Sequence, residues 1–241
     1  MTITETPNPA APALKRPHFV VDYPLKNVCR PFPDVASYMV FCGKSRSGKS
    51  SLLTSLLLDK NMYKRAFHNV LIVIPLHSFT SMAEKDNPFA ELDESKVFHD
   101  LDLDTLERIL SQIEGYADQE EDTLLIIDDF AAELKDIKTL HLLNKMINNR
   151  RHEPLSIWMS VQTYKSIPLS NRKTINYLVL FKPSNMAEQK AVWEELTLIP
   201  RKKFDEICDH VFDRPHEYLV IDRDHDEYWR VLISCFTIKN I

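Results

Sequence analysis

The segment Gly43-Lys44-Ser45-Arg46-Ser47-Gly48-Lys49-Ser50 satisfies G-x4-G-K-[ST] at every defined position. A loop of this kind turns successive backbone N–H groups inward and has the positive end of a helix behind it, which is the chemistry of phosphate binding. Lys49 is expected to reach the β- and γ-phosphates of ATP and Ser50 to ligate Mg2+. Gly43, Lys44, Ser45, Arg46, Ser47, Gly48 and Ser51 complete the cradle. A second group lies downstream, where the apolar run Thr123-Leu-Leu-Ile-Ile ends in Asp128-Asp129. Asp128 is placed to hold the Mg2+ shell, directly or through water, and Asp129 to polarise an attacking water as general base.

These residues need elements to carry them. The phosphate loop is entered by an apolar strand, Tyr38–Cys42, and left by an apolar helix, Lys49–Leu58. Further strands are expected at Val70–Ile74, Leu124–Ile127, Ser156–Val161, Tyr177–Phe181 and Tyr218–Ile221. Helical patterns fall at Leu103–Ile113, Leu134–Asn148, Met186–Leu196 and Lys202–Val211. Short apolar strands alternating with helices predict a mostly parallel sheet covered on both faces. The extra strand between Lys49 and Thr123 is what is expected of the ASCE division of P-loop NTPases. The expected fold class is thus a three-layer α/β/α, RecA-like P-loop NTPase. The last apolar runs, Tyr218–Ile221 and Tyr228–Ile233, flank a polar turn and predict a C-terminal β-hairpin at the sheet edge. Residues 1–17 read as a flexible arm and 18–241 as one ATPase domain. The polar stretch Phe79–Asp100 reads as a long loop or insertion.

Composition sharpens the site. The 241 residues include only three glycines, against roughly 17 at ordinary usage. Two of them, Gly43 and Gly48, sit in the phosphate loop, and Gly115 reads as a helix stop. The net charge of −5 excludes a generally basic nucleic-acid coat. It conceals an asymmetry, however. From Glu84 to Asp136 there are eighteen acids and four Lys/Arg, and from Lys138 to Lys190 there are nine Lys/Arg and two acids. Such a division permits a local polyanion-binding face. Cys29, Cys42, Cys208 and Cys235 form no CxxC pair, which argues against zinc and for a reducing compartment. No apolar stretch is long enough to span a bilayer, and no secretory signal is evident, so a soluble intracellular protein without a membrane partner is expected.

The region after the second carboxylate adds a signature. Arg150-Arg151-His152 is followed by Ser156, then Gln162 at a strand end, then Pro168, Arg172, Asn176 and Phe181. Taken with the two nucleotide motifs, this pattern resembles the poxvirus-type genome-packaging ATPases of large DNA viruses and virophages, within the FtsK/HerA superfamily. The resemblance covers roughly residues 18 to 235. It implies an ATP-hydrolysing motor that moves double-stranded DNA into a capsid. Its implied partners are a homo-oligomeric ring, pentamer or hexamer, and capsid or portal-vertex proteins. The host cytoplasm or a viral factory is the implied location. It also implies an arginine reaching the neighbouring subunit's γ-phosphate, for which Arg150 and Arg151 are candidates. The family's Arg-His pair maps to Arg151-His152. Gln162 takes the sensor position. Arg172 and Lys173 are read either as DNA-contacting or as a solvated basic loop.

Two departures and two alternatives stand beside this reading. Arg46 replaces a small residue in the loop, and Asp128-Asp129 stands where many relatives have Asp-Glu. Lys44 also resembles the lysine of ParA-type deviant loops, which would make the protein a nucleotide switch; read alone, Lys44 is solvated or faces DNA. A nucleotide or nucleoside kinase uses the same loop, but leaves the Arg150–Phe181 signature unexplained.

Overall fold

The computed structural model describes residues 24–26, 28–80, 87, 89, 92–130, 136–231 and 235–237. The expected arm at 1–17 lies outside them, as does part of the Phe79–Asp100 stretch. Nine strands form one sheet: β1 (Tyr38–Cys42), β2 (Asn69–Val73), β3 (Val97–Phe98), β4 (Thr123–Asp128), β5 (Leu155–Val161), β6 (Tyr177–Phe181), β7 (Tyr218–Asp222), β8 (Glu227–Val231) and β9 (Cys235–Thr237). Their order is β3-β2-β4-β5-β1-β6-β7-β8-β9. The first six in that order pair in parallel, and β6-β7-β8-β9 continue antiparallel. The mostly parallel sheet and the β7–β8 hairpin are as the sequence predicts. Strands β3 and β9 are additions: two or three residues carry too little pattern to be read in advance.

Because side chains alternate along a strand, every inner strand feeds two cores. Tyr38, Val40 and Cys42 of β1 join Leu125, Ile127, Ile157 and Met159 on one face. That face is covered by α3 (Leu103–Ala117), α4 (Ile137–Asn149), α6 (Met186–Leu196) and α7 (Arg201–Val211). Met39 and Phe41 point the other way, with Ile126, Trp158 and Val179, under α1 (Lys49–Leu58) and the segment around Phe32 and Tyr63. Trp158 is packed by Tyr63, Phe41 and Phe67, with ring centroids 4.8, 5.7 and 6.3 Å away. Two short helices, α2 (Leu76–Thr80) and α5 (Leu169–Lys173), complete the connections.

Helix ends show what is special about the phosphate loop. The side chains of Asp102, Asp136 and Asn185 cap α3, α4 and α6 by accepting from Thr105 N, Thr139 N and Glu188 N. Each such cap contributes about 1 kcal/mol. Helix α1 instead begins after Gly48, with no side-chain cap and no acid in its first turn. Its first N–H groups are thereby left for a ligand.

Gly115 is corrected by the structure. It lies inside α3, two residues before Ala117, and a side chain there would meet nothing within 4 Å. The chain turns later, through Glu120 in the left-handed region (φ 59°).

Candidate nucleotide site

All the expected nucleotide residues gather at the carboxyl ends of β1, β4 and β5, where a parallel sheet places its ligands. A cavity of about 360 Å³ is lined by Ser45–Ser51 together with Asp128, Asp129, Ser160 and Gln162. Lys44 flanks it. The loop turns through Arg46 (φ 63°) and Gly48 (φ 108°), both in the left-handed region that only glycine enters freely. Arg46 therefore carries backbone strain that a small residue there would not avoid unless it were glycine. Gly43 has a different reason to be glycine. A Cβ there would stand 2.6 Å from Phe181 Cβ and 2.8 Å from Ser47 Oγ, so β6 packs directly on the loop.

Lys49 Nζ donates to the carbonyls of Gly43 (2.6 Å) and Lys44 (3.2 Å), which holds the ammonium over the loop. Burial pulls its pKa below the ordinary lysine range, opposed by the charges of Asp129 and Asp128. Burial also raises the Asp128 carboxyl, with the neighbouring Asp129 charge adding to the rise and Ser160 and Lys49 working against it. Asp128 and Lys49 are thus partly withdrawn from water beside the exposed Asp129, so two acids stand against one amine. A divalent cation would restore the balance. Ser50 and Asp128 line the same cavity and suit Mg2+, which binds through one or two protein oxygens plus phosphates and water. The buried Ser47 hydroxyl has no hydrogen-bond partner among the described residues, which fits a loop shaped for a ligand.

Asp129 leaves the strand with φ 61°, and its N–H donates to Ser160 O at 3.1 Å. This turn brings its carboxylate to Gln162, whose Nε2 donates to Oδ2 at 2.9 Å and Oδ1 at 3.1 Å. The expected base and sensor therefore touch. Behind them the buried Glu188 carboxylate accepts from Tyr164 N (2.7 Å) and Ser184 N (2.9 Å) and fixes the chain after β5. The sequence did not single out Glu188, because its partners, two backbone amides and the Cys42 thiol, are remote or carry no pattern.

The two arginines lie at the opposite end of the sheet. They precede β5 and Gln162 follows it, so seven strand residues, about 20 Å at ordinary rise, separate them from their own phosphate loop. Arg150 is partly buried and donates to Ile147 O (2.8 Å) and Asn176 Oδ1 (2.6 Å). Asn176 Oδ1 also accepts from Tyr38 N (3.2 Å), and Nδ2 donates to Asp224 (2.8 Å). Arg150 is thus built into its own subunit, while Arg151 is exposed. Arg172 departs from both readings made of it. Its guanidinium is 2.9 Å from Glu195 and lies over the Tyr164 ring at 5.3 Å, leaving the side chain 13% exposed. It packs α5 against α6. Lys173 remains exposed.

His216 was missed. Its Nδ1 lies 3.1 Å from Ser47 O, and it approaches to 3.6 Å of where a Gly48 side chain would begin. No motif spacing marks it, since 169 residues separate the partners.

Among the described residues no cluster of three His, Cys, Asp or Glu is suited to a metal, and no helix is long and apolar enough to cross a membrane. Cys42 and Cys208 are buried and unpaired.

The fold is similar to that of B204, the DNA-packaging ATPase from Sulfolobus Turreted Icosahedral Virus, with a TM-score of 0.61 at 16% identity over 80% of this chain and 95% of that one. It is likewise similar to the genome-packaging NTPase B204 of Sulfolobus turreted icosahedral virus 2 in complex with AMPPCP, with a TM-score of 0.59 at 16% identity over 80% and 95%. EssC (ATPases 2 and 3) from Geobacillus thermodenitrificans matches at a TM-score of 0.53 and 12% identity, over 78% of this chain and 38% of that one. No curated protein sequence is significantly similar to the chain. A family model described as Poxvirus A32 protein matches residues 34–204, from the approach to β1 into α7. With the nucleotide cavity and the fold in agreement with that match, the chain belongs to the poxvirus A32 protein family.

Proposed function

We propose that the protein is the ATPase of a viral genome-packaging motor, hydrolysing ATP at subunit interfaces to drive double-stranded DNA into a capsid. The observation that carries this reading is the division of the machinery between the two ends of one sheet. Lys49, Asp129 and Gln162 meet at the carboxyl ends of the strands, and Arg151 stands exposed at the other end. A ring of like-oriented subunits joins one end to the next subunit's other end.

In this reading Lys49 and the N–H groups of the loop and α1 hold the phosphates. Asp129 accepts the proton of the attacking water. Ser50 and Asp128 would hold Mg2+, which when bound would supply charge neutralisation on the phosphates. Gln162, bonded to Asp129, responds when the γ-phosphate leaves and passes that change along the chain fixed by Glu188. Arg151 enters from the neighbouring subunit and stabilises the charge that develops on the transferred group. The packaging ATPases named above support the reading through fold and family. Pentamer or hexamer, capsid or portal-vertex contacts, and action in the host cytoplasm or a viral factory follow from it as proposals.

The decisive experiment measures ATP hydrolysis with and without duplex DNA, beside the mass of the ATP-bound assembly. Hydrolysis stimulated by DNA of any sequence, weakening as salt rises, with a ring-sized mass, is the expected result. DNA-indifferent hydrolysis by a dimer, or a phosphorylated nucleoside product, overturns it.

A further inference from the structure

The acidic and basic halves of the sequence meet at the boundary between two neighbouring helices of one layer. On α3 the exposed charges are Asp104, Glu107 and Glu114 against Arg108 alone. On α4, packed beside it, the sign reverses. The sixteen residues from Ile137 to His152 hold four Lys/Arg and no acid, although acids number 35 among the 241 residues of the chain.

The polar groups of α4 form a stripe. Lys138, His141, Lys145 and Asn148 follow at intervals of three and four residues and so share one face of the helix. All four are exposed, while Thr139, Leu143, Met146 and Ile147 turn into the core. Helix α5 widens the stripe: Asn144 Nδ2 donates to Ser170 Oγ at 3.2 Å, and the exposed Lys173 stands one turn beyond Ser170. The acids at the two ends of α4 are turned to other uses. Asp136 accepts from Thr139 N and Oγ1 as the cap, and Glu153 is partly buried.

Pairing decides which cations are open to a partner. Arg172 is matched by Glu195 at 2.9 Å and Lys190 by Glu194 at 3.3 Å. Among the described residues, no carboxylate forms an ion pair with Lys138, Lys145 or Lys173. Lysines without an acid, interleaved with an amide and an imidazole on a rigid face, suit the phosphates of a nucleic-acid backbone. Neither α4 nor α5 carries Phe, Tyr or Trp, so the face has no platform on which unpaired bases could stack. A duplex fits it better than a single strand.

The place of α4 in the fold gives such a contact a consequence. The helix follows Asp128-Asp129 in the chain and leads into Arg150 and Arg151. Its thirteen residues make a rod of about 20 Å. We propose that the outer face of α4, widened by Lys173, is the surface that grips the phosphate backbone of duplex DNA. The proposal rests on the motor reading and adds to it the face and the residues. One rigid element then carries the grip between the general base of its own site and the arginine offered to the next, so a shift at either end reaches the DNA.

Fluorescence anisotropy of the full, ATP-bound chain with a labelled duplex, over a series of salt concentrations, tests the assignment. The double variant Lys138→Gln/Lys145→Gln is expected to bind at least tenfold more weakly, alike on duplexes of unrelated sequence. Its plot of log affinity against log salt should flatten by about one for each lysine in contact. Lys138→Arg/Lys145→Arg, which keeps the charge, should bind as the unaltered protein does, and Lys190→Gln should change neither affinity nor slope. A Gln double variant with unaltered affinity and slope, an Arg variant as weak as the Gln variant, or an equal loss in Lys190→Gln overturns the proposal. The second arm places a photoreactive group in the stripe, His141→p-benzoylphenylalanine, and irradiates the DNA complex. Crosslinks to DNA are expected, and crosslinks only to another copy of the chain overturn the assignment by making this face a subunit contact. Failure of the unaltered protein to bind duplex DNA at all overturns the motor reading itself, an outcome distinct from the others.

Discussion

The two ends of the central sheet treat their polar groups in opposite ways. At the amino ends of β1, β5 and β6, Arg150, Asn176 and Asp224 bond in a chain with one another and with the nearby backbone within a single subunit, with Arg150 Nε left over. At the carboxyl ends, Lys49 and the Asp128-Asp129 pair crowd an open cavity with an excess of negative charge, and α1 begins without a cap. One end is bonded largely within its own chain and the other is open to a ligand. At the amino end Arg151 is exposed, whereas Arg150 is partly buried and bonded within its own subunit.

The largest test of this contrast divides the two ends between subunits. Lys49→Ala removes the phosphate-binding amine and is expected to abolish hydrolysis. Arg151→Ala should lower it about 10³-fold or more, the scale of a lost transition-state arginine. Mixed together, the two inactive proteins should recover activity. An intact loop in one subunit then meets an intact Arg151 in its neighbour. Mixtures as inactive as the separate variants would show that the ends do not meet across an interface.

Next in size is Asp129→Asn, which keeps the contact with Gln162 but removes the proton acceptor. Turnover should fall about 10²–10⁴-fold with ATP binding retained, as measured by single-turnover hydrolysis beside equilibrium titration. Equal losses in binding and turnover would make Asp129 a structural residue.

How much of this could be read from residues alone depends on how local the cause is. The phosphate loop and Asp128-Asp129 were legible because strand, loop and helix are contiguous, and their chemistry depends on spacing. Gly43 was singled out for wrapping a phosphate, yet the structure gives it a packing reason in Phe181, a residue on another strand. Arg172 has the same chemical type as Arg151, and only the fold shows that it is spent on Glu195 and Tyr164. His216 was invisible because its partner is remote in sequence and belongs to no repeated spacing.

A smaller effect separates the neighbouring arginines. Arg150→Ala removes the side-chain donor to the Ile147 carbonyl and one of the two donors to Asn176 Oδ1, which keeps Tyr38 N, a loss of about 1–3 kcal/mol in stability. Thermal unfolding should move by several degrees, whereas Arg151→Ala, at an exposed position, should move it far less. If Arg151→Ala destabilises the monomer as much, its effect on hydrolysis cannot be assigned to the interface.

The smallest prediction concerns the unfinished end in the absence of ligand. Burial raises the Asp128 pKa above its value in an unfolded chain. The native state therefore holds the proton more tightly, and this group's contribution to stability grows as pH falls through the raised value and is least above it. Asp128→Asn removes the charge while keeping the size. At neutral pH the nucleotide-free variant should melt a few degrees higher than the unaltered protein. The gap should close as the medium is acidified, because the unaltered carboxyl is then neutral as well. With ATP and Mg2+ present the order should reverse, since the charged carboxylate supports the Mg2+ shell more strongly than a neutral amide does. A variant that melts lower at every pH without ligand would mean that the Asp128 charge supports the empty fold, and that the carboxyl end of the sheet is as complete as the amino end.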